Sequence, residues 1–334
     1  YLFDLLTKYL QPFIVSKITG LMTINGQKST GIIVGIPMTA NQLSEHRRLA
    51  LKRVIQAIYT AKSKGVRYVG LGAMTASLTR GGKDIIESIP NIYITTGRTY
   101  TVKNITDYIF YCMEKFNLSK EEIKIGIVGA AGGIGSGVAT MLAKNGLRHF
   151  LLIDLERKLN HIKSKIIDLE KNVKDLTIEI SHNISLISSC NIIIAATNAP
   201  EVVIRSKDVS PGSIIINDAQ PSDISPDIVK NREDVLVIEG GVLNAYNIDC
   251  HFNMGLQHPN DIFSCLAETL LLVYRDSKVH YSINDLDMDF LIELSKDSER
   301  LNFSITKPQN DMGYVSDDFL LKFSNHLKLR QNQE

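Results

Sequence analysis

The sequence is poor in several features that would each settle its class. Its four cysteines, Cys112, Cys190, Cys250 and Cys265, stand far apart, with no C-x-x-C spacing. That excludes a disulfide framework and a structural zinc site, no metal is expected, and a reducing compartment is implied. No apolar run approaches the roughly 20 residues needed to cross a bilayer, and no secretory signal pattern is visible. An excess of one charge is also missing. Lys and Arg number 37 against 36 Asp and Glu, a formal net charge of +1, so no global field draws nucleic acid or membrane. Repeats and low-complexity tracts are absent. What remains, 334 residues with 44% apolar and 22% charged content, is expected of a cytoplasmic globular enzyme with two or three domains.

Three consecutive stretches separate along the chain. Residues 1–120 open with a short amphipathic segment. Apolar runs at Ile18–Ile24 and Gly31–Ile36 then flank an Asn25-Gly26 hairpin signal. Leu43–Lys64 reads as a helix, with strand candidates at Val66–Leu71 and Ile92–Thr95. Residues 121–248 alternate apolar strands (Lys124–Val128, Phe150–Ile153, Thr177–Ile180, Asn191–Ala195, Ser213–Ile216, Val235–Ile238) with helical patterns such as Gly135–Asn145 and Leu155–Asn172. Continuous apolar strands in βα units imply a parallel sheet covered on both faces. Residues 249–334 read as mostly helical. The expected fold is α/β: a doubly wound parallel Rossmann sheet, an N-terminal α/β substrate domain and a helical C-terminal part.

The most specific motif follows the first strand of the middle stretch: Gly129-Ala130-Ala131-Gly132-Gly133-Ile134-Gly135, leading into a helix. Such glycines make the turn out of the strand, admit a pyrophosphate close to the backbone and let helix pack on strand. The helix start then offers unpaired N–H groups and a positive dipole end. In this strand–turn–helix context the loop is expected to bind a nicotinamide dinucleotide. Asp154 directly follows the second strand, 19 positions beyond Gly135, where a carboxylate binds ribose hydroxyls and favours NADH. Arg157 and Lys158 follow within a turn and offer a 2′-phosphate site instead, so NADH and NADPH both remain open. Thr197, after the fourth strand, is a further cofactor-side residue.

Two constellations compete for the chemistry. Tyr274-x-x-x-Lys278 has the tyrosine–lysine spacing of short-chain dehydrogenases, although the same spacing recurs at Tyr111 and Lys115. The other is Cys265. Pro259-Asn260-Asp261 reads as a helix start, with Asn260 or Asp261 as N-cap. Cys265 then falls near the first turn of a helix Ile262–Tyr274, where the dipole favours a thiolate nucleophile. Glu268 lies one turn on, on the same face, to orient the thiol or to serve packing. His251 and His258 are near in sequence but read as surface or core histidines.

Several segments together resemble the long-chain fatty acyl-carrier-protein reductases of cyanobacteria. They are Ile262-Phe-Ser-Cys265-Leu-Ala-Glu268, Val237-Ile-Glu-Gly240-Gly241-Val242, the glycine loop, Gly70-Leu-Gly72-Ala-Met-Thr75 and Thr95-Thr96-Gly97-Arg98-Thr99. The resemblance runs in order from about Pro12 to Ile305. It implies reduction of an acyl thioester, borne by acyl carrier protein or coenzyme A, to an aldehyde through an acyl-enzyme on Cys265. It also implies NADPH as cofactor and places Thr96 and Gly97 on the cofactor side. Cys250 falls where the family has an aromatic. Asp154, Arg98 and Asn217-Asp218-Ala219-Gln220-Pro221 depart from the family pattern, which puts cofactor and acyl class in question. Between His46 and Lys83 lie nine basic residues and no acidic one, either a solvated helix face or a docking surface for an acidic carrier. Two other readings stand beside this one: a short-chain or shikimate-type dehydrogenase acting on an alcohol or ketone, and a non-catalytic dinucleotide sensor that binds a carrier.

Overall fold

The computed structural model describes residues 10–199, 201–283 and 286–331; the opening amphipathic segment lies outside them. The chain forms two compact units. One takes the chain up to Tyr100 together with Leu243–Ser304, the other Thr101–Val242 together with the chain from Ile305 onward. The C-terminal stretch is thus shared between the units rather than forming a part of its own.

The second unit is built on a six-stranded sheet: β1 (Lys124–Val128), β2 (His149–Ile153), β3 (Thr177–Ser181), β4 (Ile192–Ala195), β5 (Ser213–Asn217) and β6 (Val235–Glu239). Their spatial order is β6-β5-β4-β1-β2-β3, and every pairing is parallel. Ile125 of β1 pairs with Phe150 on one side and Ile192 on the other. The central strands β4 and β5 are buried along their whole length, because β-branched isoleucines fill both faces of the pleat. The helix Leu159–Asn172 buries Ile162, Ile166 and Leu169, one stripe at helical spacing. The last helix, Asp317–Gln331, is tied to the sheet by Arg330, whose Nη1 donates to Ser213 Oγ at 2.7 Å. The strand order reverses between β1 and β4, so the crevice for a ligand opens at the carboxyl ends of these strands.

The first unit begins with the antiparallel hairpin Phe13–Met22 and Lys28–Gly35. The single helix expected over Leu43–Lys64 is two helices, Ala40–Glu45 and Arg47–Lys62, broken at His46, whose backbone leaves the helical region. Thr39 and Gln42 form a capping box at the first of them. Two short parallel strands, Tyr68–Gly70 and Tyr93–Thr95, follow. The helix expected to start near Ile262 starts at Ser264 instead, since Asp261–Phe263 is a short strand. Asp261 is no N-cap: it is buried and accepts a hydrogen bond from Asn244 Nδ2 at 3.1 Å. The Ser264–Arg275 helix buries Ala267, Leu270, Leu271 and Leu272 in a core shared with Ile18, Leu21, Phe290 and Phe303. Arg275 and Arg300 both reach the fully buried Asp297, which fixes the neighbouring helix Met288–Arg300.

Among the described residues no helix is long and apolar enough to cross a membrane. Ile193 sits at 0% exposure in β4, while Ile167 is 48% exposed on its helix. Ile193→Ala is expected to cost about 2–5 kcal/mol in urea unfolding, and Ile167→Ala within about 0.5 kcal/mol.

Candidate functional site

In the dinucleotide unit, β1 ends at Val128 and the chain turns at Gly129, whose φ is +90°. The Gly129 and Ala130 N–H groups both donate to Ile153 O, at 2.9 and 3.1 Å, which seats the turn over the end of β2. A Cβ on Gly129 would lie 2.4 Å from Ala196 O, and one on Gly135 would lie 2.6 Å from Gly129 O. Neither position admits a side chain. Gly132 is the extended N-cap of the helix Gly133–Lys144 and makes no side-chain cap bond. The N–H groups of Gly133, Ile134 and Gly135 therefore lack intrahelical acceptors and face the crevice with the positive end of the helix dipole. These residues fit the pyrophosphate of a dinucleotide.

Asp154 is placed at this loop, but its carboxylate is already committed. Oδ2 accepts from Ala131 N at 3.0 Å, Oδ1 accepts from Leu155 N at 2.8 Å, and Lys158 Nζ pairs with Oδ1 at 3.2 Å. Its side chain is only 5% exposed. Arg157 is exposed beside it. Thr197 is half-buried after β4, and its hydroxyl accepts from Ala199 N at 3.0 Å. Three carboxyls gather at the same edge of the sheet: Asp218, marked in the sequence only as part of a departure from the family pattern, and Asp223 and Glu239, which were not singled out. For Asp218 and Glu239 the signal was an acid at the end of an apolar strand; Asp223 had none.

Thr96 and Gly97, expected on the cofactor side, fall in the other unit; Thr96 Oγ1 donates to Ser282 O at 2.5 Å, and Gly97 lies against Cys265. A Cβ on Gly97 would fall 2.2 Å from Cys265 Cα, and one on Gly72 would stand 3.6 Å from its Sγ. Cys265 is the second residue of the helix Ser264–Arg275, closer to the helix start than expected. Of the four cysteines it alone is not buried. Burial pushes the thiol of Cys112 up to about 12 and those of Cys190 and Cys250 to about 11, so those three stay protonated at neutral pH.

The Glu268 carboxylate is committed to the chain around Thr95–Tyr100 and Ser282. It is fully buried, and it accepts from Tyr100 N at 2.8 Å, from Ser282 Oγ at 2.6 Å and from Thr95 Oγ1. Burial raises its carboxyl, while the Ser282, Thr95 and Tyr100 bonds lower it. It ties the turn around Gly97 to the cysteine helix.

Several expected partners are not assembled. Lys278 lies beyond the left-handed helix end at Asp276 and pairs with Asp276 at 3.7 Å, while Tyr274 packs on the apolar core. The tyrosine–lysine dyad therefore does not form on one helical face. His251 bonds Thr19 and Asp249, and His258 accepts from Asn260 N. Of the nine basic residues, Arg53 is buried, Arg47 and Lys62 cap backbone carbonyls, and Arg67 and Arg80 pair with carboxylates. More than half of the supposed docking surface thus serves the fold. Among the described residues no group of His, Cys, Asp or Glu is arranged to hold a metal.

Comparison with known proteins bears on both units. The family model for shikimate / quinate 5-dehydrogenase matches residues 112–239, ending on the last residue of β6. Aminotransferase PigE of Serratia sp. (strain ATCC 39006) is 26% identical over 311 residues, 89% of this chain and 34% of that protein. The chain thus spans about a third of the length of this curated relative. Among solved structures, a dipicolinate synthase from Bacillus halodurans overlaps 52% of this chain and 57% of its own, with 14% identity and a TM-score of 0.36. Quinate dehydrogenase from Corynebacterium glutamicum, in complex with NAD, overlaps 60% and 62%, with 12% identity and a TM-score of 0.34.

These findings overturn the resemblance to acyl-carrier-protein reductases: the family matched over the glycine loop and its sheet is that of the shikimate/quinate dehydrogenases, and the relative alongside most of the chain is an aminotransferase. The physical reason is that short glycine motifs answer to backbone geometry, which many dinucleotide turns share whatever their substrate. An acyl carrier or acyl-coenzyme A partner has no support from either match. Residues 112–239 thus carry a Rossmann-type sheet similar to that of the shikimate / quinate 5-dehydrogenase family.

Gly129→Ala combines left-handed backbone strain of about 1–3 kcal/mol with the clash on Ala196. Dinucleotide affinity, read by quenching or enhancement of reduced-nicotinamide fluorescence, is expected to fall by about tenfold or more. Glu268→Ala strands three donors in the other unit. It is expected to lower stability by about 1–3 kcal/mol per unpaired buried group at most, seen as an earlier urea midpoint with dinucleotide affinity unchanged.

Proposed function

We propose that the protein is an NAD(P)-dependent dehydrogenase that interconverts a carbonyl compound and its alcohol. The observation carrying this reading is the side-chain-free loop at Gly129 and Gly135, opening a helix on a parallel sheet whose residues match shikimate / quinate 5-dehydrogenase. Gly133, Ile134 and Gly135 hold the pyrophosphate through backbone N–H groups, while Gly129, Ala130 and Gly132, whose own N–H groups donate to Ile153 O and Gly129 O, shape the turn that lets it approach. When bound, the dinucleotide supplies or takes the hydride.

The adenosine end is read by Asp154, Arg157 and Lys158. Because Asp154 turns its carboxylate onto Ala131 N and Lys158, its charge is neutralised locally and repels a 2′-phosphate little. The exposed Arg157 then presents a planar cation to that phosphate. This arrangement supports NADPH over NADH, against the simpler expectation from an acidic residue at this position.

A second reading rests on one observation in the other unit: the partly exposed Cys265 at the start of its helix, with two glycines, Gly72 and Gly97, beside it. Here the thiolate attacks the carbonyl of an acyl thioester, a new C–S bond forms on Cys265, and the donor thiol leaves. Glu268 is then a positioning residue, acting through the Gly97 turn.

One set of assays separates the readings. A panel of ketones, oxo acids and acyl thioesters is offered with NADPH, and its oxidation is followed. Turnover of ketones by both wild type and Cys265→Ala supports the first reading. Transfer of radiolabelled acyl group to the chain without dinucleotide, lost in Cys265→Ala, supports the second. Arg157→Ala is expected to weaken NADPH binding by about 1–2 kcal/mol, roughly tenfold, and NADH binding little. Equal losses for both cofactors would refute the Arg157 assignment.

A further inference from the structure

The acidic group at the carboxyl edge of the sheet lies close to the glycine loop. Asp218 directly follows β5, and its N–H donates to Ala195 O, the last residue of β4, at 2.8 Å. The next residue, Ala196, presents the carbonyl that presses on Gly129. Asp218 is therefore one strand removed from the turn that receives the dinucleotide. Glu239 ends β6 in register with Asn217, whose amide donates to Glu239 Oε1 at 2.9 Å and to Ser222 Oγ at 3.3 Å. Beyond it, Gly241 passes the Asp218 carboxyl so closely that a Cβ there would stand 2.7 Å from Oδ1. Asp223 is fully buried, and both its carboxylate oxygens lack a hydrogen-bond partner. Asp218 and Glu239 are not among the fully buried residues, unlike Asp223.

No cation among the described residues offsets the charge of Asp218 or Glu239. Asp218 is raised well above the usual carboxylate range by burial and then by Glu239 and Asp223. Glu239 is pushed to about 7, mainly by burial; the Asn217 bond opposes this, and Asp311 and Asp223 add to it. Asp223 is raised by burial, with the Thr197 hydroxyl and N–H pulling the other way without completing a bond. Carboxyls crowded together without a cation do not all ionise. A carboxyl kept neutral is a hydrogen-bond donor and an acid at neutral pH. Carbonyl reduction needs such a group, and the tyrosine–lysine pair that would supply one is not assembled.

We infer that Asp218 is the catalytic acid of the dehydrogenase reaction proposed above, touching the substrate oxygen at the carboxyl edge of β5. As the carbonyl carbon gains a hydride, the O–H bond of the Asp218 carboxyl breaks and an O–H bond forms on the substrate, giving the alcohol. The carboxylate left on Asp218 takes a proton from water before the next turnover. In alcohol oxidation the same group accepts the proton. Glu239 and Asp223 are positioning residues: they act through Asp218 by denying it a counter-charge.

The inference rests on the dehydrogenase reading, and the test separates the two. Asp218→Asn, with wild-type circular dichroism and reduced-dinucleotide affinity, is expected to lower kcat for carbonyl reduction by about 10²–10⁴-fold. In wild type the reduction rate should fall as pH rises and the acid ionises, and Glu239→Gln, by removing a neighbouring charge, should move that fall to lower pH. Independently of activity, infrared spectra of the apo protein at neutral pH should show a protonated-carboxyl band, one component of which is lost in Asp218→Asn while the contribution of Glu239 remains. An active wild type with an equally active Asp218→Asn overturns this inference alone, as does the absence of that component. A wild type that turns over acyl thioesters but no ketone or alcohol overturns the dehydrogenase reading and this inference with it.

Discussion

A Cβ on Gly129 would lie 2.4 Å from Ala196 O, and much of the dinucleotide unit follows from that contact being left bare. The turn after β1 can press against the end of β4 only because no side chain intervenes. That closeness lets the helix Gly133–Lys144 begin directly over the point where the strand order reverses. The crevice, the unpaired N–H groups and the carboxyl cluster at Asp218 are all registered from the same edge. The sheet beneath is stiff because β4 and β5 are buried on both faces, so the edge has little freedom to shift.

The other unit solves a different problem with one buried carboxylate. Glu268 gathers a backbone N–H and two hydroxyls from the chain around Thr95–Tyr100 and Ser282. A buried charge is tolerable only when so bonded. The result is that Gly97 is held against Cys265. The chain thus places two chemically different features in separate units, a phosphate-binding loop and a partly accessible cysteine.

The six strands of the sheet were legible because each is a continuous apolar run bounded by turn residues, and the structure places every one within a residue or two of its expected bounds. The grouping of the chain was less legible. Reading in order suggests consecutive domains, whereas burial joins Leu243–Ser304 to the N-terminal stretch. Periodicity does not reveal which distant segment an apolar face meets. The cysteine helix begins two residues later than expected because Asp261 bonds Asn244 instead of capping. The orientation of Asp154 was likewise invisible, since motif spacing records a position and not which N–H a carboxylate will choose. The family resemblance misled for a related reason: it rested on short runs of small residues, which geometry demands in many settings.

The discontinuity of the first unit bears on how the chain folds as it is made. Its hairpin, its two parallel strands and the Gly97 turn emerge early, yet the helix that buries them, Ser264–Arg275, is made only after the whole parallel sheet. Ile18 and Leu21 are core residues whose partners Leu270, Leu271 and Phe290 are made only after the parallel sheet. During synthesis these apolar side chains must wait without their partners while the sheet, whose strands follow one another closely in sequence, can form first. Contacts of such long sequence separation form slowly and leave apolar surface open meanwhile. The early-made segment is thus the stretch most dependent on chaperone cover, and the cysteine niche comes into being only after the strands of the parallel sheet have been made.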